Sequence, residues 1–312
     1  MRVLFTGASS FTGFWFVREL AAAGHDVTAT FRQEPQAYVG GVRGRRVALA
    51  SEVCRAVHGV AFGDDRFLAL AREGGWDLLA HHAADVANHK SPDFDAVAAV
   101  HNNTQNLSAV LDALCAGGCR KILLTGSVFE GGEGAGSQGL PDFSPYGLSK
   151  ALTAHLFRYY CRRAGVSLGK FVIPNPFGPY EEPRYTTYLM KSWFTGITPI
   201  CATPSYVRDN IHVSLLAKIY VRFAEELPST RGFTRVNPSG YAESQGAFTR
   251  RIAEEMARRL KRPCPVELKT QLEFPEPRVR INTDVPDARS LGWDESAAWD
   301  ELARYYQEVL AA

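Results

Sequence analysis

The glycine-rich loop TGASSFTG at residues 6–13 constrains the fold of this chain more than any other feature. It follows an apolar segment at residues 1–5 and precedes residues 14–23, whose apolar positions recur at helical spacing until Gly24. Another apolar segment follows at residues 25–31. This order predicts a strand, a tight loop, a helix and a second strand, which is how a doubly wound parallel sheet begins.

The same loop predicts a site for a nucleotide diphosphate. Gly7 and Gly13 allow the backbone to approach a pyrophosphate, and the following helix offers free N–H groups and the positive end of its dipole. Ser10 stands where many such loops have glycine, and its backbone N–H is expected to remain available. We therefore expect the loop to bind a dinucleotide, the alternative being a plain tight turn without a ligand.

The end of the second strand indicates which dinucleotide is bound. An acidic residue there accepts a hydrogen bond from a free ribose 2′-hydroxyl, whereas an arginine accommodates a 2′-phosphate. Here the strand ends at Phe31-Arg32 without a carboxylate, and Asp26 comes too early. Arg32 favours NADP(H) as cofactor, with NAD(H) as the alternative; an exposed arginine without any ligand is a third interpretation.

The segment YGLSK at residues 146–150 predicts proton-transfer chemistry. Tyrosine is a poor base at neutral pH because its pKa is about 10, unless a nearby positive charge favours the phenolate. Lys150 follows Tyr146 by four residues, so the two side chains share one face of a helix. Taken alone, this spacing also fits a solvated helix face; the glycine loop upstream favours the chemical interpretation.

The composition excludes several classes of protein. The 312 residues include 35 Lys and Arg against 33 Asp and Glu, and no basic run interleaves with aromatic residues, so nucleic acid is not an expected partner. No apolar run approaches the ~18 residues needed to span a bilayer, and the first residues lack a signal-peptide pattern. We expect a cytoplasmic protein with no membrane partner. The six scattered cysteines are interpreted as free thiols, and no metal site is expected.

Strands and helices alternate through most of the chain, which predicts an α/β fold. Residues 32–51 show no clear period. We expect a doubly wound parallel sheet (Rossmann) with a smaller C-terminal α+β substrate domain. The predicted elements include helices at about 67–72, 95–114, 248–260 and 296–310 and strands at 76–80 and 120–125. The predicted dinucleotide-binding domain comprises residues 1–174 and about 207–236, and the substrate-binding domain about 175–206 and 237–312.

Several segments in the expected order resemble the extended short-chain dehydrogenase/reductases, specifically their nucleotide-sugar epimerase and dehydratase branch. Together they cover nearly the whole chain. They are the TGASSFTG loop, HHAA at 81–84, NNTQNL at 102–107, Ser127 after a strand, Tyr146 with Lys150, NPFGP at 175–179 and RDNIHV at 208–213.

The resemblance implies that Ser127 binds the reacting oxygen, that Tyr146 transfers its proton and that nicotinamide exchanges a hydride with the adjacent carbon. The implied substrate is a nucleotide-diphosphate sugar, and the implied assembly is a homodimer. Epimerisation or ketone reduction is favoured over 4,6-dehydration, because dehydration generally needs an acidic residue next to the serine. Glu130 lies three residues after Ser127 and could supply that acid if the loop is shifted, so dehydration stays an alternative. A dinucleotide-binding regulator without turnover is the alternative from another class.

The expected site residues fall into three groups. Arg208 is expected on the diphosphate because guanidinium forks onto phosphate oxygens, with an ion pair to Asp209 as the alternative. Asn175 could equally brace its proline turn, Arg278 could be an exposed charge, and Ser127 could cap a turn. The catalytic group is Ser127, Tyr146, Lys150 and Glu130; the cofactor group is Gly7, Ser9, Ser10, Phe11, Thr12, Gly13, Arg32, His82, Ala83, Ala84, Asn102, Tyr146, Lys150 and Pro174; the substrate group is Asn175, Arg208 and Arg278.

Overall fold

The computed structural model describes residues 1–86, 88, 91–137 and 139–310 and divides into two compact units. Each unit has its own buried core. Unit 1 comprises Met1–Glu133, Pro141–Ile173 and Ala217–Asn237, and unit 2 comprises Gly134–Leu140, Pro174–Leu216 and Pro238–Ala312.

Unit 1 contains a seven-stranded parallel sheet with the strand order β10-β6-β5-β4-β1-β2-β3. The crossover between β3 and β4 reverses the direction in which the sheet grows, and ligands bind at such a point, beyond the carboxyl ends of the strands. Numbered along the whole chain, the strands are β1 Arg2–Thr6, β2 Asp26–Phe31, β3 Arg55–His58, β4 Leu78–His81, β5 Lys121–Ser127, β6 Ser167–Ile173 and β10 Gly232–Val236.

Helices cover both faces of this sheet, which confirms the predicted doubly wound fold. Leu4 of β1 lies in one buried cluster with residues of α3, α5 and α6, while its neighbour Phe5 points to the other face. There Phe16 of α1 stacks on Tyr220 of α8 with ring centroids 3.9 Å apart. The helices are α1 Phe11–Ala22, α2 Gly41–Ser51, α3 Asp65–Arg72, α4 Ala96–Thr104, α5 Leu107–Ala116, α6 Pro145–Ala164 and α8 Val213–Glu226, whose residues from Ala217 onward belong to unit 1.

One local prediction was wrong, and one segment had no predicted element. The single helix expected at about 95–114 is two helices, because Asn106 adopts the left-handed conformation with φ 50° and interrupts the ladder. Asparagine tolerates this conformation, and here its Nδ2 also donates to the carbonyl of Gly63 at 2.8 Å. The segment without a clear period holds a 3₁₀ turn, Pro35–Tyr38, followed by α2. The apolar positions of α2 are too few to mark a period.

Unit 2 is a smaller α+β assembly, as predicted. Its strand β9 pairs antiparallel with β11 and parallel with β7 and β13. Side chains of α7, α9 and α10 form its core, with Trp193, Met256 and Leu302 almost fully buried. Its elements are β7 Asn175–Phe177, α7 Tyr185–Phe194, β8 Ile200–Cys201, β9 Val207–His212, β11 Tyr241–Ser244, α9 Gln245–Leu260, β12 Glu267–Leu268, β13 Val279–Arg280 and α10 Glu295–Leu310.

Unit 2 also buries the carboxyl group of Glu181, which is 4% exposed. The hydroxyl of Tyr306 donates to its Oε1 at 3.1 Å. Burial raises the pKa of Glu181 from 4.5 to about 8, with the positive charge of Arg184 opposing the rise. The folded protein therefore holds a proton at neutral pH that the unfolded chain releases.

This proton makes folding stability depend on pH. A raised pKa in the folded state stabilises below pH 4.5, and that contribution is lost as pH rises towards about 8. Glu181→Gln cannot ionise, so its thermal stability relative to the parent should increase between pH 5 and pH 8, by about 2 kcal/mol or more. Thermal denaturation across this range measures the difference. Glu267→Gln, at an exposed position, is the control; a pH-independent difference for Glu181→Gln would contradict the assignment.

Candidate active site

The glycine loop turns sharply between β1 and α1. Gly7 has φ 85°, and a Cβ at Gly13 would lie 2.2 Å from the carbonyl oxygen of Gly7, so both positions require glycine. Ser10 caps α1, because its Oγ accepts from the N–H of Gly13 at 3.1 Å. The backbone N–H of Ser10 donates to Gly7 at 3.2 Å. The expectation that this N–H remains available was therefore wrong, since the tight turn itself uses it.

Two other N–H groups fit an anionic ligand at this helix end. In the described part of the chain, the backbone N–H groups of Phe11 and Thr12 have no acceptor. They lie at the positive end of α1, where unsatisfied donors bind phosphate oxygens. The loop therefore has the donors and the close backbone approach that a dinucleotide diphosphate needs.

His82 lies beside the loop and braces it. Its Nε2 is 3.0 Å from Ser10 Oγ and 3.1 Å from Thr12 Oγ1, and its Nδ1 is 2.9 Å from Thr125 Oγ1. Burial, together with the positive charge of Lys150, lowers the pKa of His82 to about 3, so the ring is neutral. The same segment continues with Ala83, whose N–H donates to Thr6 Oγ1 at 3.1 Å, and with Ala84.

Arginines from α2 approach the loop at Ser9. Arg43 donates to Ser9 Oγ at 2.9 Å, and the fully buried Arg46 donates to the Ser9 carbonyl at 3.0 Å. Arg32 follows β2 directly and is exposed. The sequence predicted Arg32 as a cofactor-binding residue because it follows the second strand. It did not predict Arg43 or Arg46, because no clear period marked the helix that carries them.

Of the two neighbouring asparagines in α4, it is Asn103 that braces the core. It is 4% exposed, and its Oδ1 accepts from the N–H of Asp85 at 2.8 Å while its Nδ2 donates to Thr153 Oγ1 at 3.3 Å. Asn102, predicted as a cofactor ligand, is exposed and donates to Asp85 Oδ2 at 2.9 Å. Adjacent helix positions point in different directions, which is why only one of them faces α6.

Helix α6 presents Tyr146 and Lys150 one turn apart in its first turns. Ser144 caps the helix by accepting from the N–H of Gly147 at 3.2 Å. Lys150 is 4% exposed, and its Nζ donates to the carbonyl of Thr125 at 2.5 Å. Burial lowers the pKa of Lys150 to about 8; the carboxylate of Glu130 opposes this effect and Lys170 adds to it.

Ser127 ends β5 and is half-buried. Its Oγ accepts from the N–H of Phe129 at 3.2 Å, a turn contact, and among the described residues its O–H has no acceptor. Thr125, two residues earlier, was not predicted as a site residue. The structure places its carbonyl on Lys150 and its hydroxyl on His82. No spacing pattern marks it, because both contacts come from distant parts of the chain.

Glu130 belongs to a buried ion-pair cluster. Its carboxylate accepts from the N–H of Ser127 at 2.7 Å and pairs with Lys170. Lys170 also pairs with Glu133 at 2.8 Å, and Asn237 and Arg235 donate to the same carboxylate. Burial alone would raise the pKa of Glu133, but the bonds from Lys170 and Asn237 and the nearby positive charges lower it.

In unit 2, Arg208 lies in β9 and is already engaged. Its guanidinium donates to Glu276 at 2.9 Å and to the carbonyls of Val207 and Pro277, and it lies 4.4 Å from the centre of the Tyr206 ring. The alternative partner, Asp209, instead accepts from the backbone N–H groups of Gly240 and Asn282.

The remaining predicted residues of unit 2 lie near the same strand. Asn175 begins β7 and is paired in register with Asn210 of β9, and the buried Pro174 precedes it. Arg278 is exposed and lies 4.4 Å from the centre of the Phe274 ring.

Comparison with known proteins places this arrangement in a family. The sequence profile of the NAD dependent epimerase/dehydratase family matches residues 3–237. The chain belongs to this family. It is thus a member of a family of enzymes that bind a nicotinamide dinucleotide, as the motifs predicted. None of the curated proteins matches this sequence.

Solved structures of epimerases and a dehydratase share its fold. UDP-glucose 4-epimerase from Thermotoga maritima is 17% identical with a TM-score of 0.72, covering 99% of this chain and 100% of that chain. UDP-glucuronic acid 4-epimerase from Bacillus cereus, solved with UDP-glucuronic acid and NAD, is 17% identical with a TM-score of 0.74 and the same coverage. dTDP-glucose 4,6-dehydratase from Streptomyces venezuelae, solved with NAD, is 20% identical with a TM-score of 0.68, covering 99% and 97%.

These similarities establish a common fold. Among the described residues, no helix combines the length and the apolar composition that a membrane-spanning helix needs.

Proposed function

We propose that this chain is an NAD(P)-dependent enzyme that epimerises or reduces a nucleotide-diphosphate sugar at a carbinol or ketone carbon. The observation that supports this most is the buried Lys150, one helical turn from Tyr146 and bonded to the end of β5. Burying an ammonium group costs free energy. In the proposed chemistry, the buried charge of Lys150 favours the phenolate form of Tyr146. Family membership and the sugar nucleotides bound to similar folds agree with it.

In this proposal Tyr146 transfers the proton of the reacting hydroxyl. The positive charge of Lys150 favours the phenolate form of Tyr146 and so makes it a usable base near neutral pH. The O–H of Ser127 donates to the reacting oxygen and fixes its position. A dinucleotide held by its diphosphate at the glycine loop would supply the nicotinamide that exchanges a hydride with the adjacent carbon.

We rank 4,6-dehydration below epimerisation and reduction. Dehydration needs an additional acid or base beside the reacting carbon, and Glu130 is the nearest carboxylate in the sequence after Ser127. Both of its oxygens are engaged, one by the N–H of Ser127 and the other by Lys170. A carboxylate held in this way is poorly suited to exchanging protons with a substrate.

A dinucleotide-binding regulator without turnover is the alternative class of function. Such a protein needs the loop at Gly7 and Gly13 but has no use for Lys150 in a buried position beside a tyrosine. The two classes differ in what replacement of Tyr146 does to turnover.

Tyr146→Phe removes only the phenolic oxygen. If Tyr146 transfers the proton, kcat should fall by at least about a hundredfold while the dinucleotide still binds. Turnover of a panel of UDP and dTDP sugars measures the first effect, and mass spectrometry of dinucleotide released from denatured protein measures the second. Tyr159→Phe, on the same helix with Tyr159 52% exposed, is the matched control. Unchanged turnover of Tyr146→Phe would refute the assignment.

The same released dinucleotide separates the two favoured reactions. Near-stoichiometric bound cofactor indicates that the hydride is returned within one turnover, as in epimerisation. Protein that is purified empty and binds NADPH on titration indicates a ketone reductase that exchanges its cofactor each turnover.

We further propose that NADP(H) is the preferred cofactor and NAD(H) the weaker one. Arg32 follows β2, and Arg43 reaches Ser9 Oγ on the glycine loop, so both arginines come from segments beside which we expect the adenosine ribose to bind. Guanidinium groups bind a 2′-phosphate strongly, whereas a 2′-hydroxyl gains little from them.

Arg32→Met should weaken NADPH binding by about tenfold or more and leave NADH binding nearly unchanged, because a charge-assisted hydrogen bond contributes ~1.5–3 kcal/mol. Calorimetric titration with both cofactors measures the change. Arg72→Met, at an exposed position on α3, should affect neither affinity. A parent protein that prefers NADH, with Arg32→Met indifferent to the 2′-phosphate, would overturn this proposal.

For the substrate we propose that Arg208 binds the diphosphate, helped by Asn175 and Arg278. Glu276, whose side chain is 44% exposed, is the group that a diphosphate would replace on the Arg208 guanidinium. The stack on Tyr206 already orients that guanidinium.

Arg208→Met should therefore raise KM by about tenfold with little change in kcat, since the diphosphate does not react. Steady-state kinetics with the best sugar nucleotide of the panel measures both constants. Arg262→Met, which also removes an arginine stacked on an aromatic ring of unit 2, is the matched control. If KM does not change, the substrate is held elsewhere or carries no diphosphate.

A further inference from the structure

A largely buried cluster beside Ser127 is not explained by the proposed chemistry. It consists of the buried Glu130, Glu133, Lys170 and Asn237 and of Arg235, which is exposed, and we refer to it as the Glu130 cluster. Glu130 is 1% and Lys170 7% exposed. Removing such charges from water costs several kcal/mol per ion, so the fold gains little stability from burying them. Glu130 follows the end of β5 beside Ser127, and Lys170 lies in the middle of the neighbouring β6, which suggests another use.

The two oxygens of Glu130 have different partners. Oε1 accepts from the N–H of Ser127 at 2.7 Å, and Oε2 pairs with Lys170. The N–H of Glu130 donates back to the Ser127 carbonyl at 3.1 Å. The carboxylate therefore fixes the main chain of Ser127 to β6 as well as to its own turn.

Lys170 is in turn held from the far side. Its second carboxylate partner, Glu133, accepts from Asn237 at 2.9 Å and from Arg235 at 3.3 Å. Arg235 of β10 and Lys170 of β6 are paired in register, so neighbouring strands present both charges to the same carboxylate. The ammonium group is thereby fixed in position.

Gly126 shows how closely this pair packs against β5. A Cβ at Gly126 would lie 2.6 Å from Lys170 Cε and 2.9 Å from Glu130 Oε1. Gly126 separates Thr125, whose carbonyl accepts from Lys150, from Ser127. The ion pair of Glu130 and Lys170 thus lies against the end of β5. This strand end contains Ser127 and the carbonyl that binds Lys150.

We propose that Glu130 and Lys170 are positioning residues, with Glu130 fixing the main chain of Ser127 and the ion pair balancing the charge around Lys150. This inference rests on the proposed function. It gives Glu130 a role that involves no contact with the substrate. The electrostatic part agrees with the opposite effects of the two groups, since Glu130 raises the pKa of Lys150 and Lys170 lowers it.

The other groups that face Lys150 do not obscure these effects. His81, the last residue of β4, and His82, which follows it, are neutral because burial lowers the pKa of each to about 3. β5 contributes the carbonyl of Thr125, and α6 itself contributes Tyr146. Glu130 and Lys170 therefore supply opposing charges that can be removed one at a time.

The test compares Glu130→Gln with Lys170→Met in the full-length protein. Removing the anion should move the pH profile of kcat to lower pH, and removing the cation should move it to higher pH, each by at least about 0.5 unit. A purely structural role would lower activity in both variants without moving the profiles in opposite directions. Profiles that stay in place or move in the same direction overturn the inference.

Two further variants allow the inference to be tested even if Lys170→Met does not fold. Glu130→Gln with Lys170→Met removes both charges, and its profile should return close to that of the parent even if Lys170→Met alone is unstable. Glu130→Ala also removes the acceptor for Ser127, so its kcat should be about tenfold below that of Glu130→Gln with dinucleotide binding retained. Equal kcat values for these two variants, or a double variant whose profile stays with Glu130→Gln, would refute the positioning role.

Tyr146→Phe separates this inference from the proposed function. If Tyr146→Phe keeps its turnover, the proposed function is wrong. If that variant is inactive while Glu130→Gln and Lys170→Met leave the pH profile in place, only the present inference is wrong.

Discussion

A buried ammonium group joins the first turns of α6 to the end of β5, and the rest of the candidate site is arranged around it. Lys150 reaches the carbonyl of Thr125, whose hydroxyl contacts His82, and His82 in turn braces Ser10 of the glycine loop. Three of the segments that bear sequence motifs, namely the glycine loop, the segment with His82 and the start of α6, are therefore connected within unit 1 through Thr125 by hydrogen bonds. A displacement of Lys150 would be transmitted through these contacts to the loop that we expect to hold the cofactor.

Local patterns predicted the parts of the fold that depend on neighbouring residues. The glycines at Gly7 and Gly13 marked the turn, and the spacing of Tyr146 and Lys150 marked one face of a helix, because sterics and helical period act over a few residues. The alternation of strands and helices along the chain predicted the parallel sheet.

Contacts between distant segments could not be predicted in this way. In the sequence, Glu130 was a candidate acid for dehydration, because its partner, Lys170, is forty residues away and could not be recognised. The break at Asn106 depends on the carbonyl of Gly63, and the arginines of α2 become relevant only when that helix packs against the loop. In each case the determining interaction comes from tertiary packing, which leaves no period in the sequence.

The position of β10 in the chain has a consequence for the order in which unit 1 is assembled. Arg235 comes from this last strand of the sheet and Asn237 follows directly, yet both contact Glu133, which precedes them by about a hundred residues. During synthesis, the first six strands emerge before any partner from β10 exists. Until then Lys170 lies on the edge strand of the sheet, and Glu133 gains its contacts with Arg235 and Asn237 only after β10 docks.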